Sequence, residues 1–444
     1  MNTNSLLKEF HKIVLKNNPK TDYLDTVKKV ENSNAKYKGK AVPFLYNPMF
    51  FTQDDITNFE KITDKIMGIL NKVIDRYINY PEFRKKFDYP KLLEELILLD
   101  HGYNFNVPMA RFDVFYKDYE NFKFCEFNTD GSSAMNEDNT LARIFLEGDS
   151  VKEMGEKYNI NYIELIYKWV DESISIFKGW NKDIDKPNVA IVDFEGSGTP
   201  AEFQEFKKAY IDKGYNAYIV DPRDLKYTDG KLYFNDIKID LIYRRIVTRE
   251  FIERSHEIRD LINAYREGAV CLVGPIRSQI PHNKIIFKIL HEEDTLEFLD
   301  KEEREYIKKH IPYTKEFKDN KDLIKEALNN KNKYVLKPKD LFASKGVYVG
   351  KDYDDKSWKV KVEGHFNKDY LLQEFCVPYK RDIVEYTDGE FKVNSFNQIL
   401  GLYIYREKFA GLYNRVGKNN IISGLHGCYT LPNLIVEDKN VGAQ

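Results

Sequence analysis

The chain lacks any apolar run that approaches the length of a membrane span, and residues 1–10 carry no signal-peptide core. The expectation is a cytoplasmic protein that stays off membranes. Cysteine is scarce: Cys125, Cys271, Cys376 and Cys428 are scattered, without CxxC or Cys/His spacing. That excludes a disulfide framework and a zinc site and fits a reducing compartment. Cys125 reads as a packed strand residue, the alternative being a reactive thiol beside Glu126. An excess of charge is missing too, with 69 basic against 71 acidic residues and a net charge of −2. Nothing there calls for a nucleic acid or an anionic membrane as partner. Internal repeats and low-complexity linkers are absent, and so is the P-loop pattern GxxxxGK[ST].

What is present is enough chain, 444 residues, for two or three domains with real cores. Its most informative stretch is 109–128. Residues 109–117 and 122–128 are rich in aromatic and branched side chains, and Asp118-Tyr119-Glu120-Asn121 has turn character. A hairpin with Lys117 opposite Phe122 puts Asp113 opposite Glu126 and Arg111 opposite Asn128. Strand alternation then sets Arg111, Asp113 and Phe115 on one face with Phe122, Phe124, Glu126 and Asn128. Facing carboxylates repel unless a proton or a cation sits between them. An all-oxygen set of Asp, Glu and Asn suits Mg²⁺, which shares its shell with waters and substrate phosphates. The plain alternative is a solvated polar face. The loop Asn128-Thr129-Asp130-Gly131-Ser132-Ser133 at the strand end favours a site.

Elsewhere, residues 1–100 read as helical. Ile56, Phe59, Ile62, Ile66, Leu70, Val73 and Ile74 recur near the helical period within 54–77, and 90–99 carries another stripe. His11 and His101 read as structural. Residues 135–157 and 160–177 read as helices. A strand at 187–193, a helix at 201–214 and strands at 216–220 and 239–243 suggest a parallel β-α-β layer. Gly196-Ser197-Gly198 is followed by Pro200 and lacks the third glycine of a dinucleotide fingerprint. Arg244 and Arg245 end that unit. Helices follow at 250–268, 285–290, 302–309 and 321–330, with a polar loop from Gly274 to Lys284 between the first two. Residues 334–338 form a strand ending near Lys337, and Ala343-Ser344-Lys345-Gly346 a turn. Residues 347–350 form a second strand, and 370–375 a buried one. Lys337 and Lys345 flanking a tight loop can grip phosphates, with loop N–H groups as further donors. A lysine-rich surface hairpin is the bland reading.

The two constellations in this order resemble the circularly permuted ATP-grasp ligases, in particular the glutathionylspermidine synthase-like branch. In the usual order the nucleotide lysines precede the metal carboxylates; here Arg111-x-Asp113 and Glu126-x-Asn128 come first. The resemblance covers roughly residues 100–435. It implies a mixed α+β and α/β fold with a metal-binding half at 101–185, a pre-ATP-grasp-like α/β domain at 186–275 and a nucleotide-binding half at 276–444, beside the helical region at 1–100, which the resemblance does not reach. By resemblance, Asp113, Glu126 and Asn128 are the Mg²⁺ ligands, and Arg111 steadies the transferring phosphoryl group. Lys284 and Lys337 are the ATP-phosphate lysines, with Lys345 and Gly346 on the phosphate loop. Gln373, Glu374 and Phe375 form the adenine hinge, Arg415 is the late arginine, and Gly424–Cys428 the closing turn. The phosphate loop is poorer in glycine than the family's, and no amidase domain precedes the ligase part. The implied activity is ATP- and Mg²⁺-dependent joining of a small carboxylate to an amine through an acyl phosphate, with a homodimer compatible. A small-molecule kinase and a non-catalytic nucleotide-binding protein are the alternatives.

Overall fold

The structure is a computed structural model that describes residues 2–37, 39–341 and 344–439. Its centre is a six-stranded antiparallel sheet. Tyr429–Leu431, Lys408–Gly417, Glu390–Tyr405, Met109–Tyr116 and Phe122–Asn128 follow one another across it, and Lys380–Thr387 pairs the far end of Glu390–Tyr405. The 109–128 hairpin thus closes no sheet of its own. It completes one whose other strands lie some 270 residues later, with Arg111 opposite Tyr403 and Asp113 opposite Gly401. A second antiparallel sheet, of Thr314–Glu316, Tyr370–Glu374, Tyr334–Pro338 and Tyr348–Val349, stands across a cleft from the first.

The hairpin pairs Asp113 with Glu126 and Arg111 with Asn128, the register that alternation and the turn predict. Nearer the turn the expectation is corrected. Tyr116, not Lys117, faces Phe122, and the register shifts by one between Asp113 and Val114. A bulge at Cys125 absorbs the extra residue and re-aims the strand. Its effect is to swing Phe122 and Phe124 onto the apolar face, into the core with Phe112, Val114 and Phe127. Cys125, by contrast, packs beside Phe115.

Residues 188–273 form the expected parallel layer, in strand order Cys271–Val273, Leu241–Arg244, Asn188–Val192, Asn216–Val220. The strand expected at 239–243 is two. Ile237–Ile239 joins a small antiparallel sheet, Leu241–Arg244 joins the parallel one, and Asp240 between them accepts the Asn188 N–H at 3.0 Å. The helix expected at 135–157 breaks at Gly148 into Met135–Leu146 and Asp149–Gly155. The one expected at 160–177 is preceded by a strand, Tyr158–Asn161, and runs Ile166–Trp180. That expected at 250–268 is interrupted at Ser255–Glu257, and that at 285–290 is a single turn, Ile286–Ile289. Ala343 of the expected phosphate loop lies outside the described residues; Ser344 to Gly346 form a turn.

In the N-terminal region, Gln53–Asn79 is one long helix opened by a capping box between Thr52 and Asp55. The seven periodic residues are all buried. Phe59 meets Tyr116 and Phe409, with ring centroids 4.9 and 5.7 Å apart, so this helix backs the central sheet. Residues 1–100 are not wholly helical. Met49–Phe51 pairs with Asn433–Asp438, and a short hairpin (Lys36–Tyr37 with Lys40–Ala41) stands at the cleft. Among the described residues no helix is long and apolar enough to cross a membrane.

The polar face of the hairpin is positioned by the apolar one. Phe127 is 1% exposed, stacked on Phe287 at 4.9 Å and edge-on to Phe112 at 4.8 Å. Phe127→Ala is expected to cost about 3–5 kcal/mol, read as a lower urea midpoint at unchanged slope.

Candidate active site

One face of the central sheet carries the chemistry in cross-strand rows. The first row is Asn128, Arg111, Tyr403 and Gly411; the next is Glu126, Asp113, Gly401 and Tyr413; then Ile399, Arg415 and Thr430 stand side by side. Asp113 is 3% exposed and accepts from two arginines. Arg111 donates to both its oxygens, at 2.8 and 3.2 Å, and Arg415 donates to Oδ2 at 2.7 Å. Burial by itself raises the Asp113 carboxyl, but Arg111 and Arg415 outweigh it and hold it below the usual carboxylate range. The Asn128 amide donates to the same Oδ2 at 3.3 Å.

Gly401 is what lets Arg111 lie along the sheet. A Cβ there would stand 2.7 Å from Arg111 Cδ and 2.9 Å from Cγ. A glycine inside a strand marks a close approach of this kind. The Arg111 guanidinium also donates to Ser133 O at 3.0 Å, and the Tyr403 hydroxyl donates to the same carbonyl at 2.7 Å. Arg111 and Arg415 both sit over the Tyr413 ring, 5.2 and 5.3 Å from its centroid.

The opposite wall brings in the lysines. Lys284 Nζ is 2.6 Å from Glu126 Oε1 and donates to Leu341 O at 2.8 Å, while its backbone N–H donates to Lys339 O at 2.9 Å. Glu126 follows Asp113: burial raises its carboxyl, and Lys284 brings it below its ordinary value. Lys337 reaches across from Tyr334–Pro338 to donate to Cys125 O at 3.2 Å. The Gln373 amide donates to Thr314 Oγ1 at 2.9 Å, and the Phe375 N–H to Lys333 O at 2.8 Å, which fixes the end of the Tyr370–Glu374 strand.

The cleft between these walls holds about 610 Å³. Arg111, Asp113, Glu126, Asn128, Lys284, Lys337, Lys345, Gln373, Glu374, Phe375 and Arg415 all line it. Gly346 is outside the lining. It has φ +70°, and a Cβ there would meet the Tyr370 hydroxyl at 2.6 Å, so its part is conformational.

Sequence reasoning missed the groups that join this face to the parallel layer. Arg244 pairs with Asp130 at 2.6 Å and Arg245 with Glu202 at 3.2 Å, all four side chains at most 3% exposed. Arg245 also donates to Ser132 O. The loop after the hairpin is thereby pinned to the end of Leu241–Arg244. Two adjacent arginines at a strand end were a visible signal; their partners were not. Glu137 was missed as well. It lines the cleft, and the Tyr413 hydroxyl donates to its Oε2 at 2.8 Å.

The residues fit a metal–nucleotide group. Asp113, Glu126 and Asn128 are hard oxygen donors, and Arg415 Nε is buried without an acceptor, a donor that an anion would satisfy. Among the described residues no set of three or more His, Cys, Asp or Glu side chains could hold a metal without such help.

Two sheets enclosing a cleft, one bearing carboxylates and arginines and the other lysines, define an ATP-grasp fold. Residues 169–371 match the family described as a circularly permuted ATP-grasp. The fold is that of a circularly permuted ATP-grasp. In structure it is similar over 98% of its length to a glutathione synthetase-like effector from Globodera pallida, of which 97% is covered, at 12% identity and a TM-score of 0.56. A D-alanyl-alanine synthetase A from Vibrio cholerae matches 57% of this chain and 89% of its own, at 13% identity and a TM-score of 0.31, too low to bear on the fold. No curated protein matches in sequence.

Two outcomes follow from this geometry. Gly401→Ala should lower stability by about 1–3 kcal/mol through overpacking, and most of that cost should vanish in an Arg111→Ala background, read as a double-mutant cycle in urea. Burial pushes the Glu137 carboxyl up to about 7, partly opposed by the bond from Tyr413. A carboxyl raised in the fold stays protonated there after it ionises in the unfolded chain. Its contribution to stability therefore falls as pH climbs through the usual carboxylate range to about 7 and then levels off. The Tm of Glu137→Gln relative to the parent should rise steadily from about pH 5 to 7.5 and flatten beyond.

Proposed function

We propose that the protein is an ATP- and Mg²⁺-dependent carboxylate–amine ligase that forms an amide through an acyl phosphate and releases ADP and phosphate. The observation that carries this is the interleaving of Asp113 and Glu126 with Arg111 and Arg415 on one sheet face, with Lys284 and Lys337 reaching that face from the other wall. Phosphoryl transfer needs positioning and charge more than covalent work by side chains.

Asp113, Glu126 and Asn128 would hold Mg²⁺, which when bound neutralises phosphate charge and aligns the transferred group. Lys284 and Lys337 bind the nucleotide phosphates. Arg111, fixed by Asp113 and Ser133, presents a rigid guanidinium to the phosphoryl group in flight. The thiols that line the cleft, Cys125, Cys376 and Cys428, are poor nucleophiles because burial raises the pKa of each, with the Lys337 ammonium only partly opposing at Cys125. The phosphorylated intermediate accordingly belongs to the substrate acid, and an amine then displaces phosphate from it.

The test is a screen of acids against amines for ADP release, followed by ¹⁸O labelling of the active acid's carboxylate. One labelled oxygen should appear in inorganic phosphate. Label in AMP would mean adenylation, and a stable phosphorylated acid formed without amine would mean a kinase. Asp113→Asn and Glu126→Gln should each lower turnover at least about 100-fold with the fold intact. Near-normal rates in both would remove the metal assignment.

A further inference from the structure

The metal carboxylates and the phosphate-binding cations are one another's partners in the free chain. Asp113 is bracketed by Arg111 and Arg415, and Glu126 is paired with Lys284. Lys337 lies beside them on the Cys125 carbonyl. Four cations stand against two carboxylates, which leaves this part of the cleft two charges positive. A divalent cation entering alone meets that excess and finds both Asp113 oxygens occupied and Glu126 held by Lys284 through Oε1. Each ion pair is largely removed from water, where charge repulsion is least screened.

We infer that the nucleotide assembles the metal site: the triphosphate draws Arg415 and Lys284 off Asp113 and Glu126, and only then are the carboxylate oxygens open to the metal. The inference rests on the ATP-dependent reading above. The charges favour it. A triphosphate brings about four negative charges, so nucleotide and divalent cation together bring this cluster close to neutrality, whereas the cation alone takes it further from neutrality.

The geometry also separates the groups that exchange from those that stay. Arg111 has three acceptor contacts, two on Asp113 and one on Ser133 O, and it lies in the space that Gly401 leaves. It remains on Asp113. Arg415 has a single ion-pair contact, with Nε buried and without an acceptor, so a phosphate oxygen offers it more than the carboxylate does. Lys284 holds the Leu341 carbonyl at the start of the phosphate loop besides Glu126. It can release Glu126 without losing its only acceptor. Arg415 and Lys284 are therefore positioning residues for the metal: they hold its ligands closed and hand them over.

The test is calorimetric titration of the full chain with Mn²⁺ alone and with β,γ-methylene-ATP in EDTA. The nucleotide analogue should bind without metal, and Mn²⁺ alone should fail to saturate the parent protein up to about 1 mM. Arg415→Met frees Asp113 from one cation and should bind Mn²⁺ alone at least about tenfold more tightly than the parent. Adding Asp113→Asn to that variant should abolish the gain. Lys284→Met tests the same exchange from Glu126 and decides the matter if Arg415→Met fails to fold. Mn²⁺ saturating one site in the parent as readily as in the variants would overturn the exchange while leaving the ATP-dependent reading intact. So would the absence of a gain in both variants. Failure of the analogue to bind with or without Mn²⁺ would remove the ATP-dependent reading and this inference with it.

Discussion

Asp113 is a buried carboxylate that would be untenable alone. Removing such a group from water is costly unless it is paired and hydrogen-bonded. Arg111 and Arg415 supply the pairing, and they lie 304 residues apart in the chain, separated from each other in the sheet by the Glu390–Tyr405 strand. This one cluster thus depends on the central sheet being complete. Gly401 thins the intervening strand so that the Arg111 side chain can cross it, and Tyr413 floors both guanidinium groups. The face is rigid because each charge is an acceptor or donor for the next.

The second consequence of that cluster is the placement of the parallel layer. Arg111 and Tyr403 both donate to Ser133 O, and Arg245 donates to Ser132 O one residue earlier. The loop 129–133 therefore ties the central sheet to the end of Leu241–Arg244, with the buried pairs Arg244–Asp130 and Arg245–Glu202 on the far side. The wall where the layers meet carries buried charges that balance in pairs. A single replacement within such a pair leaves an uncompensated buried charge and is costly.

Much of this was legible in the chain. Period-two alternation and a polar turn are local signals, so the hairpin and the Asp113–Glu126 and Arg111–Asn128 pairs could be read directly. The strand–helix–strand texture around 188–220 was equally local. The bulge at Cys125 was not, because Phe-Lys-Phe-Cys-Glu alternates well enough either way and the choice is made by how many apolar rings the core takes. Helix ends inside long periodic stretches were overrun, as at Gly148, where the glycine was the available warning. Ion pairs such as Arg244–Asp130 are set by tertiary approach over 114 residues and leave no trace in composition. Gly401 did carry a signal, a lone glycine within Gln-Ile-Leu-Gly-Leu-Tyr-Ile-Tyr, whose meaning required knowing what crosses it.

The pairing of Met109–Tyr116 with Glu390–Tyr405 also fixes when this protein can become itself. Arg111 has to wait for Tyr403, which at ordinary synthesis speeds emerges from the ribosome about 15–60 s later. During that interval the hairpin has an open edge and an apolar back of Phe112, Phe124 and Phe127. The helix Gln53–Asn79 is already made and can shield the Tyr116 end through Phe59, while the strand that pairs the edge, Glu390–Tyr405, is still to come. Contacts of such long sequence separation are slow to form. The permuted order of this chain therefore leaves the hairpin edge unpaired until its late partner strand arrives.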